Sequence, residues 1–392
     1  MSNIYDKLRF KKTGDFIYPV SIVNEAKAIF NKIPLKNIGI RPLIVEEAVF
    51  EETFAISTAE DSELTENDAK KIEVSEEQKA RIIKYKDNNK LDVRGKYDSL
   101  EFENIRAVEN QVDSLSFEDI NIDLICDLHH DLTIGMDEYS SKLGISKYHS
   151  GRLRASNRVR IGKLRKYTPP PHRDIKALLK LLFKEFAKRK NINLYDILEF
   201  HILFYAIHPF QNGNKRVSRI LESLLLDHYN YGVNRALSLA TYYGKDKSSC
   251  NLFLMESLLQ KNVYPFINFA IRGYFYAGYD LFGKTNNIYM NEFAANFERY
   301  IRQHIKPLHQ SNYKKAGKSI VKLNGAFTHT DFVNKMKKYR CSLGVSQMII
   351  KNLISRKILN RQENIYYFEK ALEIKELMKN LTGFLLRNNI EI

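Results

Sequence analysis

Apolar residues recur at three- and four-residue spacing along most of this chain, a pattern typical of helices with one buried face. The stretch LYDILEFHILFYAI, residues 194–207, is apolar nearly all round, which predicts a buried central helix. The expected fold class is therefore all-α. Helices are predicted over residues 119–136, 175–186, 194–207, 215–232, 246–260, 262–280 and 289–307.

Two segments interrupt the helical pattern. Three consecutive prolines, 169–171, forbid helix and hold the backbone extended before the next helix begins. Residues 328–368 show the order helix, turn, helix and two short strands around NRQEN, which predicts a winged helix. The lysine-rich stretch 306–323 is expected to be a linker. The predicted regions are an N-terminal helical region 1–115, a core 116–305, and the linker with the winged helix, 306–392.

Charge is plentiful and unevenly distributed. The net charge is +16, from 62 Lys and Arg against 46 Asp and Glu. Residues 46–77 are strongly acidic, whereas residues 151–191 are strongly basic. The basic side suits a phosphate-bearing partner, either a nucleotide or a nucleic acid, although a lysine-rich surface that only maintains solubility would show the same composition.

Cysteine spacing and the length of the apolar runs bear on location. Cys126, Cys250 and Cys341 lie far apart without CxxC or CxxH pairing, which argues against a disulfide framework or a zinc site. The N-terminus lacks the apolar region of a signal peptide, and no apolar run approaches the length of a membrane span. We expect a cytoplasmic protein without a membrane partner.

The sequence HPFQNGNKRVSR, residues 208–219, lies between two of the predicted helices. The first helix should end at His208, because the residue before a proline disfavours helical geometry. Gly213 can adopt the tight turn that a side chain would obstruct, and the second helix should begin near Asn214. Backbone N–H groups and a helix N-terminus would then face a common space, which is an anion site.

Side chains of the same motif add charge and a base to that anion site. Lys215, Arg216 and Arg219 are cationic, and the three-residue spacing places the two arginines on one helix face. His208 stands at the mouth, where an imidazole suits general-base chemistry. Phe210 is expected to anchor the loop. The pattern indicates attack by a hydroxyl on a bound phosphate ester, with the histidine accepting the hydroxyl proton.

This stretch resembles the core motif of the Fic family, HxFx(D/E)(G/A)N(G/K)RxxR. GRLRASNRVRIG resembles the family's GxYR segment, and KYTPPPHRDIKALLKLL resembles its flap and the following helix. The resemblance covers roughly residues 45–280. It implies a Fic-type helical bundle with a small β-hairpin flap, to which a winged helix is a common appendage. The matching motif residues are His208, Phe210, Gly213, Asn214, Lys215, Arg216 and Arg219.

The resemblance implies a protein adenylyltransferase, which moves AMP from ATP onto a hydroxyl of a protein substrate with Mg²⁺ as cofactor. His208 would activate the Ser, Thr or Tyr hydroxyl of the target. Asn214 and the backbone around Gly213 would hold the phosphates. Arg216 would contact the terminal phosphate, and Arg219 would pair with phosphate or with a regulatory glutamate.

The flap and a tyrosine pair complete the implied substrate contacts. Tyr167, Thr168 and Pro169 would align an extended target segment by backbone pairing. Tyr242 and Tyr243 are candidates for the pocket that holds the base, with buried packing as an equal alternative.

Two positions depart from the family motif. Asn212 stands where the family carries the carboxylate that binds magnesium, so we expect weakened or altered metal use. Lys215 replaces the commoner glycine, as in the family's death-on-curing branch, which resembles a kinase and transfers phosphate. That branch is short and usually has alanine at the place of Gly213. AMP transfer is thus the first expectation, phosphoryl transfer the second, and a degenerate nucleotide-binding protein the third.

Long Fic proteins often carry an inhibitory helix of the form (S/T)xxxE(G/N), whose glutamate pairs with the second motif arginine. SELTEN offers Ser62 and Glu66, which we favour, and SLEFEN offers Ser99 and Glu103. A third alignment places TFAIST on this helix, with Ser57 where the glutamate belongs and therefore no inhibition.

The winged helix offers a different class of function. Its second helix, SQMIIKNLISRK, carries Lys351, Arg356 and Lys357, which suits contact with DNA. Winged helices also contact proteins, so both partners stay open. A homodimer is a further expectation from the resemblance.

Overall fold

The structure is a computed structural model. It describes residues 3–14, 16–35, 41–59, 65–72, 93–111, 114–162, 166–368 and 371–391. The chain forms two compact units. The first unit contains the described residues up to 27 and from 45 to 277, and the second contains those of 28–44 and 278–391.

Helices dominate the described residues, as the apolar spacing predicts. They are α1 (Ile4–Leu8), α2 (Val20–Phe30), α3 (Arg41–Ser57), α4 (Glu66–Ile72), α5 (Val93–Gln111), α6 (Ile122–Thr133), α7 (Asp137–Ser140), α8 (Ile175–Ala187), α9 (Leu194–Ile207), α10 (Asn214–His228), α11 (Leu239–Lys245), α12 (Lys247–Gln260), α13 (Tyr264–His304), α14 (Pro307–Lys322), α15 (His329–Lys338), α16 (Leu343–Ser355) and α17 (Ala371–Arg387). One 3-10 turn, His172–Asp174, precedes α8.

Helix α9 lies at the centre of the first unit, and its predicted burial is confirmed. Asn193 caps its N-terminus by accepting hydrogen bonds from the N–H groups of Tyr195 and Asp196. All of its residues except Asp196 are buried. Helices α8 and α10 pack on either side, and Phe200 lies 5.2 Å from Phe117 between ring centroids. A helix enclosed in this way holds its C-terminal end in a fixed position.

The second unit contains the three described strands, β1 (Ala326–Thr328), β2 (Asn360–Gln362) and β3 (Ile365–Tyr367). They form an antiparallel sheet in the order β1-β3-β2, with both Ala326 and Asn360 opposite Tyr367. The order α15, α16, β2 and β3 is the one expected from the sequence, whereas β1, which precedes α15, was not expected. The winged-helix assignment itself stays a prediction.

Two segments that were predicted to interrupt the helices are themselves helical. The helices expected over 262–280 and 289–307 are one helix, α13. No proline lies between them, and buried Leu281, Phe282 and Tyr289 continue the apolar stripe. Gly283 alone costs only about 1 kcal/mol in a helix. The expected linker 306–323 likewise forms α14, which has a proline at its first turn and a buried apolar face.

Membrane insertion has no support among the described helices, because none of them is both long enough and apolar enough to cross a bilayer.

Candidate functional site

The motif 208–219 forms a turn between α9 and α10, as its sequence predicts. His208 ends α9 with φ of +51°, and its N–H donates to the carbonyl of Phe204 at 3.2 Å. Gly213 has φ of +77°, a conformation that favours glycine, and α10 begins at the next residue. The N-terminus of a 15-residue helix therefore opens directly onto the turn.

Asn214 closes this turn with its side chain. Its Oδ1 accepts from the N–H of Phe210 at 2.9 Å, and its Nδ2 donates to the carbonyl of Phe210 at 2.9 Å. Asn214 and Phe210 are both buried. The amide expected to hold phosphate thus holds the loop in shape, and any phosphate contact through Asn214 stays a prediction.

Arg154 connects the motif turn to the flap segment. Its Nε donates to the carbonyl of His208 at 2.7 Å, and its backbone N–H donates to the carbonyl of Pro209 at 2.8 Å. The same guanidinium donates to the carbonyls of Ser156, at 2.8 Å, and of Pro170. Arg154 is buried, and it belongs to the GRLR segment whose individual residues were given no role from the sequence.

The imidazole of His208 is held in its neutral form. Burial lowers the pKa of His208 to about 3, with Arg154 and Lys215 adding to the shift and the carbonyl of Tyr205 opposing it. The side chain of His208 is 8% exposed. At neutral pH the ring is therefore uncharged, which is the state from which a general base acts.

The three motif cations each have a protein partner. Lys215 donates from Nζ to Oδ1 of Asn251 at 2.9 Å and is half-buried. Arg219 is buried and donates to the carbonyl of Ala55 at 3.0 Å, with its guanidinium 5.4 Å from the ring centroid of Tyr243. Lys215 and Arg219 thus bring two positive charges to the first two turns of α10.

Arg216 forms a buried ion pair with Glu101 of α5. Each of the two residues is 1% exposed. The guanidinium also donates to the hydroxyl of Tyr148 at 3.1 Å. Glu101 was not singled out from the sequence, yet a signal exists: it lies on the stripe of α5 that carries buried Tyr97, Ile105 and Val108. Contact of Arg216 with the terminal phosphate stays a prediction, and it would require this pair to rearrange.

Glu66, the favoured inhibitory residue, and Glu103, its alternative, are both exposed. Glu66 begins α4, is exposed, and pairs with Lys70 at 2.5 Å. Glu103 is exposed on α5, and Ser99 is partly buried on the same helix. Ser62 lies outside the described residues. Of the described candidates Glu66, Ser99 and Glu103, none forms a hydrogen bond with Arg219.

Helix α3 is the element that reaches Arg219. Besides the bond from Arg219 to its carbonyl, Ala55 packs on Gly244, where an added Cβ would lie 2.9 Å from the Cβ of Ala55. Ser57, the last residue of α3, is buried and donates to the carbonyl of Phe54 at 2.9 Å. The third alignment of the inhibitory helix, with serine in the place of the glutamate, stays a prediction.

Asn212 uses both ends of its side chain within the protein. Its Oδ1 accepts from the N–H of Gly213 at 2.9 Å, and its Nδ2 donates to the carbonyl of Ser146 at 3.3 Å. Among the residues that the structure describes, no group of three or more His, Cys, Asp or Glu could hold a metal ion. Asn212 offers a hard cation an amide oxygen in the place of a carboxylate, and the use of Mg²⁺ here stays a prediction.

The described residues of the flap contain one antiparallel bridge. Ile161 and Tyr167 exchange backbone hydrogen bonds of 3.0 and 2.9 Å. Tyr167 and Pro169 are buried, whereas Thr168 is exposed. The exposed residue Thr168 directly follows the bridge in the chain.

The tyrosine pair separates into two environments. Tyr243 is buried, and its hydroxyl donates to Oε2 of Glu222 at 3.3 Å, which is the packing alternative. Tyr242 is partly exposed and lies 5.1 Å from Phe269 between ring centroids. Of the two, Tyr242 has the surface left for a ligand.

Comparisons with known proteins agree with this arrangement. Residues 119–226 match the model of the Fic/DOC family, so the chain contains a domain of that family. A Fic family protein from Desulfovibrio desulfuricans G20 is similar over 92% of this chain and 98% of its own, with a TM-score of 0.53 and 15% identity. Fic-1 from C. elegans is similar over 68% of this chain and 72% of its own, with a TM-score of 0.50 and 14% identity. No curated protein matches the chain.

The family match and the structural likenesses together show an all-α Fic fold. Fic domain proteins are known for AMP transfer or a related nucleotidyl transfer, and they bind nucleotide and protein targets. A transferase function is therefore supported for this chain.

Proposed function

We propose that this chain transfers AMP from ATP to a Ser, Thr or Tyr hydroxyl of a protein target, with His208 as the general base. The observation that carries the proposal is the neutral, buried His208 at the turn that opens onto the N-terminus of α10. A base and an anion-binding helix end are thereby placed on one turn.

His208, Arg154 and the first turn of α10 have separate parts in the proposed reaction. ATP would supply an α-phosphorus that bonds to the target hydroxyl oxygen as pyrophosphate leaves. His208 accepts the hydroxyl proton, and Arg154 holds the backbone of that histidine in place. The first turn of α10 and Lys215 stabilise the negative charge of the phosphates. When bound, Mg²⁺ would neutralise part of the phosphate charge, with the amide oxygen of Asn212 in the place of the carboxylate that the family carries.

The group that is transferred can be determined with labelled ATP. The length of the chain and Gly213 favour AMP transfer over the phosphoryl transfer of the death-on-curing branch. Incubation with α-labelled ATP should label protein, and incubation with γ-labelled ATP should not. Label from γ-labelled ATP alone would show phosphoryl transfer, and nucleotide binding without either label would show a degenerate Fic domain.

Restoring a carboxylate at residue 212 should restore strong metal dependence. In Asn212→Asp, a charged oxygen can bind a hard cation where the asparagine carbonyl now accepts from Gly213. We expect the Mg²⁺ concentration for half-maximal transfer to fall about tenfold, measured by titrating Mg²⁺ at fixed ATP. Asn212→Ser, which removes the amide without adding charge, is the control. An unchanged Mg²⁺ titration in Asn212→Asp would contradict weakened metal use at this turn.

A glutamate introduced at the end of α3 should inhibit AMP transfer. We propose that the chain lacks the inhibitory carboxylate, because Ser57 lies two residues after Ala55, whose carbonyl accepts a hydrogen bond from Arg219. A glutamate in Ser57→Glu is expected to pair with Arg219 and lower the transfer rate by about 10- to 100-fold, the equivalent of one hydrogen bond between charged groups. Transfer is measured beside Thr58→Glu, one residue further on. Glu66→Gly tests the other assignment: faster transfer in that variant would make Glu66 the inhibitory residue.

A second candidate function is DNA binding by the second unit. Residues 306–392 contain 17 Lys and Arg against 6 Asp and Glu, a net charge of +11 out of +16 for the whole chain. Lys351 on α16, Arg356 and Lys357 directly after it, and Arg361 on β2 are all exposed. Positive charge of this density at a helix end and a hairpin suits the phosphates of duplex DNA.

Salt-dependent binding of the full chain to duplex DNA tests this second function. Each Lys or Arg that contacts a phosphate adds about 0.9 to the slope of log affinity against log salt. The triple variant Lys351→Ala, Arg356→Ala and Lys357→Ala should therefore lose about 3 from that slope, measured by fluorescence anisotropy. Removing three exposed cations of α8, Lys176, Lys180 and Lys184, is the matched control. If both triple variants lost the same amount from the slope, or if the chain did not bind DNA at low salt, DNA binding by the second unit would have no support.

A further inference from the structure

His129, on α6, joins two segments of the candidate site. Its Nε2 lies 3.1 Å from the carbonyl oxygen of Asn212 in the motif turn. Its Nδ1 accepts from the N–H of Gly151 at 3.0 Å, in the GRLR segment. The residue is fully buried, and its ring stacks on Phe210 at 3.9 Å between centroids with the planes parallel. None of this was anticipated from the sequence, where His129 lay in a predicted helix without an assigned role.

The two contacts fix which nitrogen of the ring carries the proton. A backbone N–H can only donate, so Nδ1 must be the acceptor for Gly151. A backbone carbonyl can only accept, so Nε2 must carry the hydrogen that is donated to Asn212. The ring is therefore a neutral imidazole with one donor and one acceptor, and each is used by a different segment.

The segment beyond Gly151 makes two further bonds to the same turn. The backbone N–H of Arg154 donates to the carbonyl of Pro209, and its side chain donates to the carbonyl of His208. His129 and Arg154 thus hold the motif turn at opposite ends, near Asn212 and at His208. The ring of His129 also packs under Gly213, where an added Cβ would lie 3.3 Å from Nε2.

We propose that His129 is a positioning residue that holds the phosphate-binding end of the motif turn in register with the segment leading into the flap. The proposal rests on the proposed function, because it assigns His129 a part in aligning nucleotide and base. His129 touches neither the reacting atoms nor His208. It acts through the carbonyl of Asn212, next to Gly213 and the N-terminus of α10.

Three substitutions separate the two bonds of the ring. His129→Phe keeps an aromatic ring against Phe210 and removes both hydrogen bonds. His129→Gln can still donate to the carbonyl of Asn212, because its amide nitrogen occupies the place of Nε2. His129→Asn can still accept from Gly151, because its amide oxygen occupies the place of Nδ1. His130→Phe, at the exposed neighbouring histidine, is the matched control.

The four His129 and His130 variants should differ in activity in an order that only a positioning role of His129 explains. In His129→Phe, kcat for label transfer should fall about 10- to 100-fold, since small misplacement of an aligned group costs up to this much. His129→Gln should recover to within about threefold of the unaltered chain, whereas His129→Asn should stay near the level of His129→Phe. The thermal unfolding midpoint is measured for all variants. If His129 served stability alone, kcat would rank the variants by their unfolding midpoints and not in the order given above.

Amide hydrogen exchange tests the same inference without any transfer activity. The amides of Gly151 and Arg154 should exchange faster in His129→Phe than in the unaltered chain and in His130→Phe. If the unaltered chain transfers no label, the proposed function fails while exchange still decides the role of His129. If transfer proceeds and His129→Phe keeps kcat within about twofold with unchanged exchange, the inference is overturned.

Discussion

Replacing His208 by alanine is expected to lower the rate of label transfer to protein by about 10²- to 10⁴-fold, the usual contribution of a general base. Only an uncharged ring can take the hydroxyl proton. The ring of His208 is uncharged at neutral pH, because burial and Arg154 lower its pKa to about 3. Transfer rates are measured at saturating α-labelled ATP. ATP affinity, measured by calorimetry, should change little, since His208 is assigned to the proton and not to the phosphates.

His228→Ala is the matched control for this loss. His228 is the last residue of α10, is exposed, and lies at the opposite end of the helix from the turn. Removal of this imidazole should leave the rate within about twofold. A His208→Ala variant that keeps more than one tenth of the rate would contradict the general-base assignment.

The pH profile of the unaltered chain supplies an independent check on the same residue. A base is active above its pKa, and the folded pKa of His208 lies below the ordinary value of 6.5. The acid limb of kcat/KM should therefore fall well below pH 6.5, with activity retained at pH 5 to 6. An acid limb near 6.5 would mean that the active base is an ordinary, solvated histidine.

The sequence is sufficient for the parts of the site that depend on local geometry. The proline at 209 determines that α9 ends at His208, and the glycine at 213 determines that α10 begins at the next residue. The turn could therefore be predicted at the level of single residues. Burial of α9 follows from its uniformly apolar sequence. Each of these features is encoded by neighbouring residues.

Contacts between distant segments could not be predicted in the same way. Arg154 lies 54 positions from His208, and His129 lies 83 positions from Asn212. Nothing local marks either residue, because a basic residue in a basic segment and a histidine in a helix are ordinary. Only the tertiary fold shows that their polar atoms meet backbone groups of the motif turn. The breaks expected after 280 and over 306–323 failed for the opposite reason, since helix continued wherever an apolar face remained to be buried.

The buried pair of Glu101 and Arg216 should be essential for the stability of the first unit. Both side chains are 1% exposed, so a charge left alone there cannot be solvated by water. Removing one partner of such a pair typically costs about 3–5 kcal/mol. We expect Glu101→Gln to lower the free energy of unfolding by about this amount, measured by urea denaturation. Glu103→Gln, which neutralises an exposed carboxylate on the same helix, should change it by less than about 0.5 kcal/mol.

A double variant separates the charge of this pair from its packing. Glu101→Leu together with Arg216→Met replaces both charges by apolar side chains, and such replacements are often neutral or stabilising. The double variant should therefore be more stable than Glu101→Gln, although it removes more polar contacts, including the bond from Arg216 to Tyr148. If Glu101→Gln costs less than about 1 kcal/mol, the pair does not hold α5 to the motif helix. Arg216 would then be free to turn toward a phosphate without loss of stability, and the rearrangement that its phosphate role requires would cost little.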